Sequence, residues 1–364
     1  MMTSRRQMMA GAGALGLFPG GAALARTPAL ETALDAAFAA GGVPALAGMV
    51  VGVDGPIWTG ARGVRQAGGA ESVTVDDRWH LGSNTKAMTA ALYGRLVDQG
   101  RAGWGATLSE LLPDVAMDPA WRSVPVEAVM GHVAGLSDDT AMGRMWLMTA
   151  RAEPRALPEQ RRALLKAMLS VPPAGTPGTF AYANANYVLL GAVIERITGL
   201  AWEDAMRAEV FAPLGITTGG FGAPSGDQPR GHRSGAAIEA TDPGSDNPLA
   251  LGPAGTAHMS LADYARFLGV FLKDGAGWIT PATLAVLTTA MGTGSPPYAG
   301  GWIVAAGQPW ARGPALTHNG SNTMWYASTW VAPALGRAFV AVSNDAEKGS
   351  PACQRLIPGL IRAI

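Results

Sequence analysis

The chain reads as an α+β protein in which one sheet is assembled from both ends of the sequence and a mostly helical region is inserted between them. Three observations carry that expectation. Apolar, β-branched or aromatic runs bounded by turn residues occupy 44–64 and return at 301–343. The stretch from about 105 to 245 reads instead as helical patches separated by loops. The 364 residues are 48% hydrophobic and only 15% charged, which is enough apolar material for a sizeable buried core.

Taken in order, residues 1–25 read as an export signal. Ser4-Arg5-Arg6-Gln7-Met8-Met9 is a twin-arginine pattern, an uncharged Gly- and Ala-rich stretch follows, and Ala23-Leu24-Ala25 has the small-x-small form of a cleavage site. Pro19-Gly20-Gly21 and the low apolar bulk argue against a retained anchor, so no stable membrane anchor is expected after cleavage and the location is periplasmic or secreted. Glu31 to Ala40 predicts a short helix. Pro44 to Val53 predicts a strand, Asp54-Gly55-Pro56 a turn, and Ile57 to Val64 the returning strand. From Ser83 the spacing of Met88, Ala91, Leu92 and Leu96 is helical, and Gly100 stops the run. Tyr187 to Ile197 and Trp202 to Phe211 are the clearest later helices. Gly222 to Pro248 reads as a long polar surface loop. Gly301 to Ala306, Thr323 to Val331 and Arg337 to Ser343 predict strands, and 350–364 a closing helix. The expected division is a signal at 1–25 and a folded part at 26–364, with a sheet portion at about 26–82 and 250–364 and a helical portion at about 83–249.

Composition excludes several classes. With 27 basic and 27 acidic residues and no basic run, the chain is not built to bind nucleic acid. Outside the N-terminus no run of roughly 20 apolar residues is free of charges and Pro or Gly, so no membrane span is expected. Cys353 is the single cysteine, which rules out an intrachain disulfide and a cysteine metal cluster. The five histidines, at 80, 132, 232, 258 and 318, contain no H-x-H or HExxH pair, and no cofactor or metal is expected. Nothing in the sequence fixes an oligomeric state.

Three segments carry chemistry. In His80-Leu81-Gly82-Ser83-Asn84-Thr85-Lys86, the serine and lysine stand three apart at a helix start and share one face. Backbone N–H groups at such a start favour negative charge, and a partly buried lysine can lose its proton and deprotonate a serine. The spacing alone occurs about once by chance in a chain of this length. It also fits a capping serine beside a solvated lysine. What sharpens it is scarcity: of four lysines, only Lys86 has a serine three residues before it. In Phe180-Ala181-Tyr182-Ala183-Asn184, Tyr182 alone among six tyrosines has Asn two residues later. A phenol near a lysine cation can have its pKa lowered and shuttle a proton, although for an isolated tyrosine a core position next to a helix-capping Asn is the commoner reading. In Thr317-His318-Asn319-Gly320-Ser321-Asn322, expected between late strands, a glycine permits close approach to the backbone. A turn histidine is the plainer reading, and His80-Leu81-Gly82 has the same spacing; order and strand context favour His318.

Together, Ser-x-x-Lys, Tyr-x-Asn and His-x-Gly in this order resemble the serine β-lactamase and penicillin-binding-protein superfamily. The resemblance is narrower to the branch of class C β-lactamases, D-alanyl-D-alanine carboxypeptidases, D-aminopeptidases and β-lactamase-like esterases. The gaps of 99 residues from Ser83 to Tyr182 and 136 from Tyr182 to His318 fit that branch. So do Val126 to Leu136, Tyr187 to Leu200, Phe211 to Gly215 and Pro253 to Asp263, and the likeness spans nearly all of 43–345. It implies an antiparallel sheet flanked by helices with an inserted helical domain. It implies Ser83 as acylated nucleophile and Lys86 and Tyr182 as proton-transfer pair. The Ser83 and Ser321 N–H groups would form an oxyanion hole. Asn184 would bond the substrate amide and Lys86, and His318, Asn319 and Gly320 would line the strand on which a substrate lies. Histidine and Asn319 replace the Lys-Thr of class C β-lactamases, which weakens the expectation of β-lactam hydrolysis because a neutral imidazole holds a carboxylate less firmly.

The implied function is an exported serine hydrolase acting on a small-molecule or peptide substrate: a D-amino-acid peptide, a small ester or a β-lactam. The alternative is a non-catalytic penicillin-binding-like sensor on the same scaffold. Trp302 and Trp325, near the third motif, fit either a cleft wall or packing.

Overall fold

The computed structural model describes residues 28–364, so the signal segment and the first two residues after it lie outside the described part. The described residues form eleven strands: β1 (Ala45–Gly52), β2 (Gly55–Gly63), β3 (Arg78–His80), β4 (Gly220–Phe221), β5 (Gly231–Arg233), β6 (Ala236–Ile238), β7 (Ala257–Ser260), β8 (Ile303–Ala305), β9 (Ala315–Ser321), β10 (Tyr326–Ala332) and β11 (Arg337–Ser343). Six make the main sheet in the order β2-β1-β11-β10-β9-β8, and every pairing in it is antiparallel. Three more make a small sheet, β3-β7-β4, and β5 and β6 pair as a hairpin. The α+β class holds, with the main sheet drawn from 45–63 and 303–343.

The sheet is covered on both faces, which is why β1 is an unbroken apolar run rather than an alternating one. Leu46 and Val50 of β1 pack with Trp58, Phe339, Leu356 and Leu360 on one face, beneath the helices Pro28–Gly41 and Gly349–Arg362. Ala47, Met49 and Val51 lie in the larger core on the other face, with Tyr264 and Phe267 of the helix Leu261–Leu272. Each large apolar side chain so removed from water contributes about 1.5–3 kcal/mol. Gly48 sits between Leu356 and Trp58, and a Cβ there would lie 2.9 Å from Leu356, so the helix is seated directly on the strand.

Beyond the sheet, the helix Leu157–Leu169 is tied to the helix Asn184–Thr198 and to the short helix Trp202–Met206 after it by a fully buried cation. Arg161 reaches Glu195 at 2.6 Å and Glu203 at 2.7 Å. Gly199, in the left-handed region at φ 73°, ends the helix Asn184–Thr198 where the sequence predicts a stop.

Three local readings change. Ser83 does not sit in the first turn of an α-helix. Gly82–Asn84 is a 3-10 turn, and the helix runs from Thr85 to Asp98. The Asn84 amide bonds the Leu81 carbonyl and the Thr85 hydroxyl bonds the Gly82 carbonyl, so side chains close the tighter turn. The third motif is not between strands but forms the end of β9, because its pairing with β10 overrides the poor strand propensity of His-Asn-Gly. Gly222 to Pro248 is not wholly surface loop: it contains the β5–β6 hairpin and the buried residues His232, Ser245 and Asp246. Trp302 and Trp325 are fully buried, in edge contact with Phe271 and Trp79, which is a packing role.

Candidate active site

Ser83 is presented by a tight 3-10 turn between β3 and the helix Thr85–Asp98. Gly82 has φ 51°, a conformation that L side chains rarely adopt, and its amide donates to Nδ1 of His80 at 3.1 Å. A Cβ on Gly82 would collide with the Ser321 nitrogen. The converse holds across the gap: a Cβ on Gly320 would collide with the Leu81 carbonyl and lie 2.7 Å from the Ser83 nitrogen. Both glycines are therefore what lets the end of β9 meet the serine turn, bringing Ser83 and Ser321 together through their backbones. Beyond Thr317, where pairing with β8 ends, the edge of β9 turned from β10 has no strand beside it among the described residues.

Lys86, one helical turn past Ser83, is fully buried. Its Nζ lies 3.1 Å from Ser83 Oγ, 2.8 Å from Asn184 Oδ1 and 2.8 Å from the Ala254 carbonyl. Tyr182 and Tyr187 turn their rings toward it, 4.9 Å and 5.6 Å from the ring centres. Burial lowers its pKa to about 7, against a smaller opposing pull from Asp138. A lysine in that range exists substantially as an amine at neutral pH and can accept the Ser83 proton along the 3.1 Å contact.

Tyr182 donates its hydroxyl to Ser83 Oγ at 3.0 Å, and its ring lies on His132 with centres 4.4 Å apart. The expectation of a lowered phenol pKa is overturned. Burial in the site raises it, although 44% of the residue remains exposed, and the bond to Ser83 opposes this only in part. The physical reason is burial, to which the Asp138 charge adds a smaller upward push, so the phenol is a proton donor and not a phenolate.

Asn184 opens its helix. Its oxygen accepts from Lys86, as expected, while its amide nitrogen donates to Asp138 Oδ2 at 3.1 Å. His318 is buried with both ring nitrogens engaged, Nδ1 at 2.6 Å from the Asn319 carbonyl and Nε2 at 2.9 Å from the Tyr298 hydroxyl. Burial, and secondarily Lys86, lower its pKa to about 3, so it is neutral. The Asn319 side chain is not brought to Ser83. Alternation along β9 puts it with Thr317 on the opposite face, bordering a separate cavity with Ser328 and Trp330.

Four contributors were outside the sequence reading. His132 and Tyr298 form the aromatic floor under Tyr182 and His318. Asp138 backs Asn184. Asp246 joins the two backbone halves of the site, with Oδ2 2.9 Å from His80 Nε2 and Oδ1 accepting from Asn322 Nδ2 at 2.7 Å. Asp138 and Asn184 are 46 residues apart and no spacing rule links them. His132 lay inside the Val126 to Leu136 likeness, which was the available signal. Among the described residues no three His, Cys, Asp or Glu side chains are grouped to hold a metal ion.

Comparison with known proteins adds four findings. The model of the Beta-lactamase family matches residues 30–358. Penicillin-binding protein 4 of Amycolatopsis lactamdurans is 26% identical over 324 residues, covering 82% of this chain and 80% of that protein. Among solved structures, D-amino acid amidase from Ochrobactrum anthropi SV3 superposes with a TM-score of 0.72 at 18% identity, covering 93% and 99% of the two chains. An octameric penicillin-binding protein homologue from Pyrococcus abyssi gives 0.72 at 20% identity, covering 91% and 76%. At those identities the two structures share the fold.

Proposed function

Since the chain belongs to the Beta-lactamase family and is a serine hydrolase, we propose that it hydrolyses neutral carboxylic esters or amides through an acyl-enzyme at Ser83. The observation that carries this is the Ser83 hydroxyl held between a buried, amine-prone Lys86 and the Tyr182 hydroxyl. In this reading Lys86 takes the hydroxyl proton as Ser83 Oγ attacks the substrate carbonyl. The Ser83 and Ser321 N–H groups receive the developing oxyanion. Tyr182 passes a proton to the leaving alcohol or amine and recovers one from Lys86. Water then attacks the acyl group, its proton going to Lys86, which passes it to Ser83 Oγ as the ester bond breaks, so that the acid leaves and the Ser83 hydroxyl and the Lys86 amine are restored. Substrate lies along the open edge of β9 past Asn184, His318, Asn319 and Gly320.

The preference for a neutral substrate rests on His318. A β-lactam or a D-alanyl peptide presents a carboxylate, which an ammonium donor would hold. Here the residue at that place is uncharged and both its nitrogens are engaged. A nitrophenyl ester, a D-Ala-D-Ala peptide and a chromogenic cephalosporin, tested on the parent protein and on Ser83→Ala, separate the readings. Ester turnover lost in Ser83→Ala is expected. Unchanged turnover in that variant removes the Ser83 mechanism, and fast cephalosporin turnover removes the preference. A permanent mass increase after β-lactam exposure, without turnover of any substrate, would favour the sensor alternative.

We further propose export by the twin-arginine route, supported by Arg5-Arg6 and the uncharged stretch after it. Replacing both arginines with lysine is expected to leave the protein inside the cell, and undiminished export would refute the proposal.

A further inference from the structure

We propose that Asp138 is a positioning residue of this centre, which locks the Asn184 carboxamide with its oxygen on Lys86 and sets a negative charge behind it that favours the ammonium. This rests on the assignment of Ser83 and Lys86 above. Asp138 lies at the start of a short helix, Asp138–Met142, just after the Val126 to Leu136 segment. Its two oxygens are used on different donors of one element. Oδ2 accepts from Asn184 Nδ2 at 3.1 Å, and Oδ1 accepts from the Ala185 amide at 2.8 Å.

The chemistry of these partners makes the arrangement directional. Ala183, at the cap of the helix Asn184–Thr198, makes no side-chain capping bond, so Asp138 supplies the missing acceptor from outside. A carboxamide has an oxygen end and a nitrogen end of nearly the same shape, and only the oxygen can accept from Lys86. A carboxylate accepts and does not donate, so Asp138 holds the nitrogen end and leaves the oxygen end for Lys86. An Asn at 138 would bring a second amide nitrogen against donors and remove that discrimination.

Lys86 is faced by Tyr182, Tyr187, Asn184, the Ala254 carbonyl, His132 and His318. Burial keeps both histidines neutral and both tyrosines protonated. Asp138 is therefore the anion that acts on Lys86, and its attraction opposes the burial that drives the lysine toward the amine.

The test is a lysine side-chain NMR titration of the full chain, with Lys86 identified by the signal lost in Lys86→Ala. Only four lysines contribute signals. In Asp138→Asn the Lys86 midpoint is expected to fall by about half a pH unit or more, with a loss of kcat on the ester of about tenfold at pH 9, where Lys86 is already neutral. A midpoint that stays in place overturns the proposal, because a purely structural capping role would lower stability and leave the midpoint alone. If Asp138→Asn does not fold, Asp138→Ser keeps an acceptor for the Ala185 amide and serves the same titration. The midpoint is read without turnover. Failure of the Ser83 mechanism, seen as Ser83→Ala activity, is thus distinguishable from failure of the Asp138 proposal.

Discussion

The imidazole of His318 meets the hydroxyl of Tyr298 at 2.9 Å, so a ring nitrogen that could face a substrate is already engaged within the protein. The other nitrogen is held by the Asn319 carbonyl, and the ring is neutral above about pH 3. A substrate carboxylate placed here would be desolvated without a cationic donor. One compound presented both as methyl ester and as free acid tests this. The capped form is expected to have a kcat/KM at least about tenfold higher, the size of one missing charge-assisted hydrogen bond. Equal values would mean that another cation receives the carboxylate.

The pH profile follows from Lys86. Its pKa is lowered to about 7, and it must be an amine to accept the Ser83 proton, so kcat/KM rises with pH through about 7 and is lost below it. His318 is neutral throughout this range and the Tyr182 phenol, raised by burial, remains protonated. A single ascending limb between pH 5 and 9 is expected. A limb near pH 4, or a bell centred below 7, would assign the base to another group.

Tyr182→Phe removes one hydroxyl and keeps the ring packed against His132, centre to centre at 4.4 Å. The variant is expected to melt at the parent temperature and to lose about 10²- to 10⁴-fold in kcat, the usual contribution of one acid–base group. A small loss would show that Lys86 alone carries the proton in both directions.

The strands at both ends of the sequence, the helices at 31–40 and 350–364 and the three motifs were legible because each is a local pattern: an apolar run ended by Asp54-Gly55-Pro56, a helix stopped by Gly199, a serine three residues before a rare lysine; the strand β9 and the helix Leu261–Leu272 were not read. The electrostatics were not legible. Whether Tyr182 sits beside a cation depends on how far Lys86 is buried, and that depends on Asn184, Ala254 and Tyr187 closing over it from remote parts of the chain. The orientation of Asn319 was missed for a related reason. Alternation fixes which side chains share a face, but the phase is set only by the pairing of Asn319 with Ser328 and His318 with Thr329.

Stability should depend sharply on Arg161. It is wholly buried between Glu195 and Glu203, and removing it leaves two carboxylates of 8% and 12% side-chain exposure without their cation. Arg161→Ala is expected to cost about 3–5 kcal/mol in chemical denaturation. The exposed pair Arg207–Asp204, at 54% and 63%, provides the control, since its removal is expected to cost under about 1 kcal/mol. Similar costs for both would mean that water reaches Arg161.

Gly320→Ala tests whether the meeting of β9 with the serine turn is what activates Ser83. The added methyl would strike the Leu81 carbonyl and come within 2.7 Å of the Ser83 nitrogen and 2.9 Å of the Asn84 amide nitrogen, so the strand end must move away from the turn. The obstacles are mainly backbone atoms, which cannot rotate aside as a flexible side chain would. Moving the strand end carries the Ser321 N–H away from the Ser83 N–H and weakens the pair of donors for the oxyanion. One such donor is worth about 10²- to 10³-fold in kcat. Lys86 and Tyr182 lie on other elements and keep their contacts with Ser83, as Asn184 keeps its contact with Lys86, so the ascending limb of the pH profile should stay near 7. The expected result is a loss of about 10²-fold or more in kcat with that limb unmoved. A variant that keeps full activity would show that the two backbones need not approach so closely, and a limb that moves would show that Gly320 acts through the lysine instead.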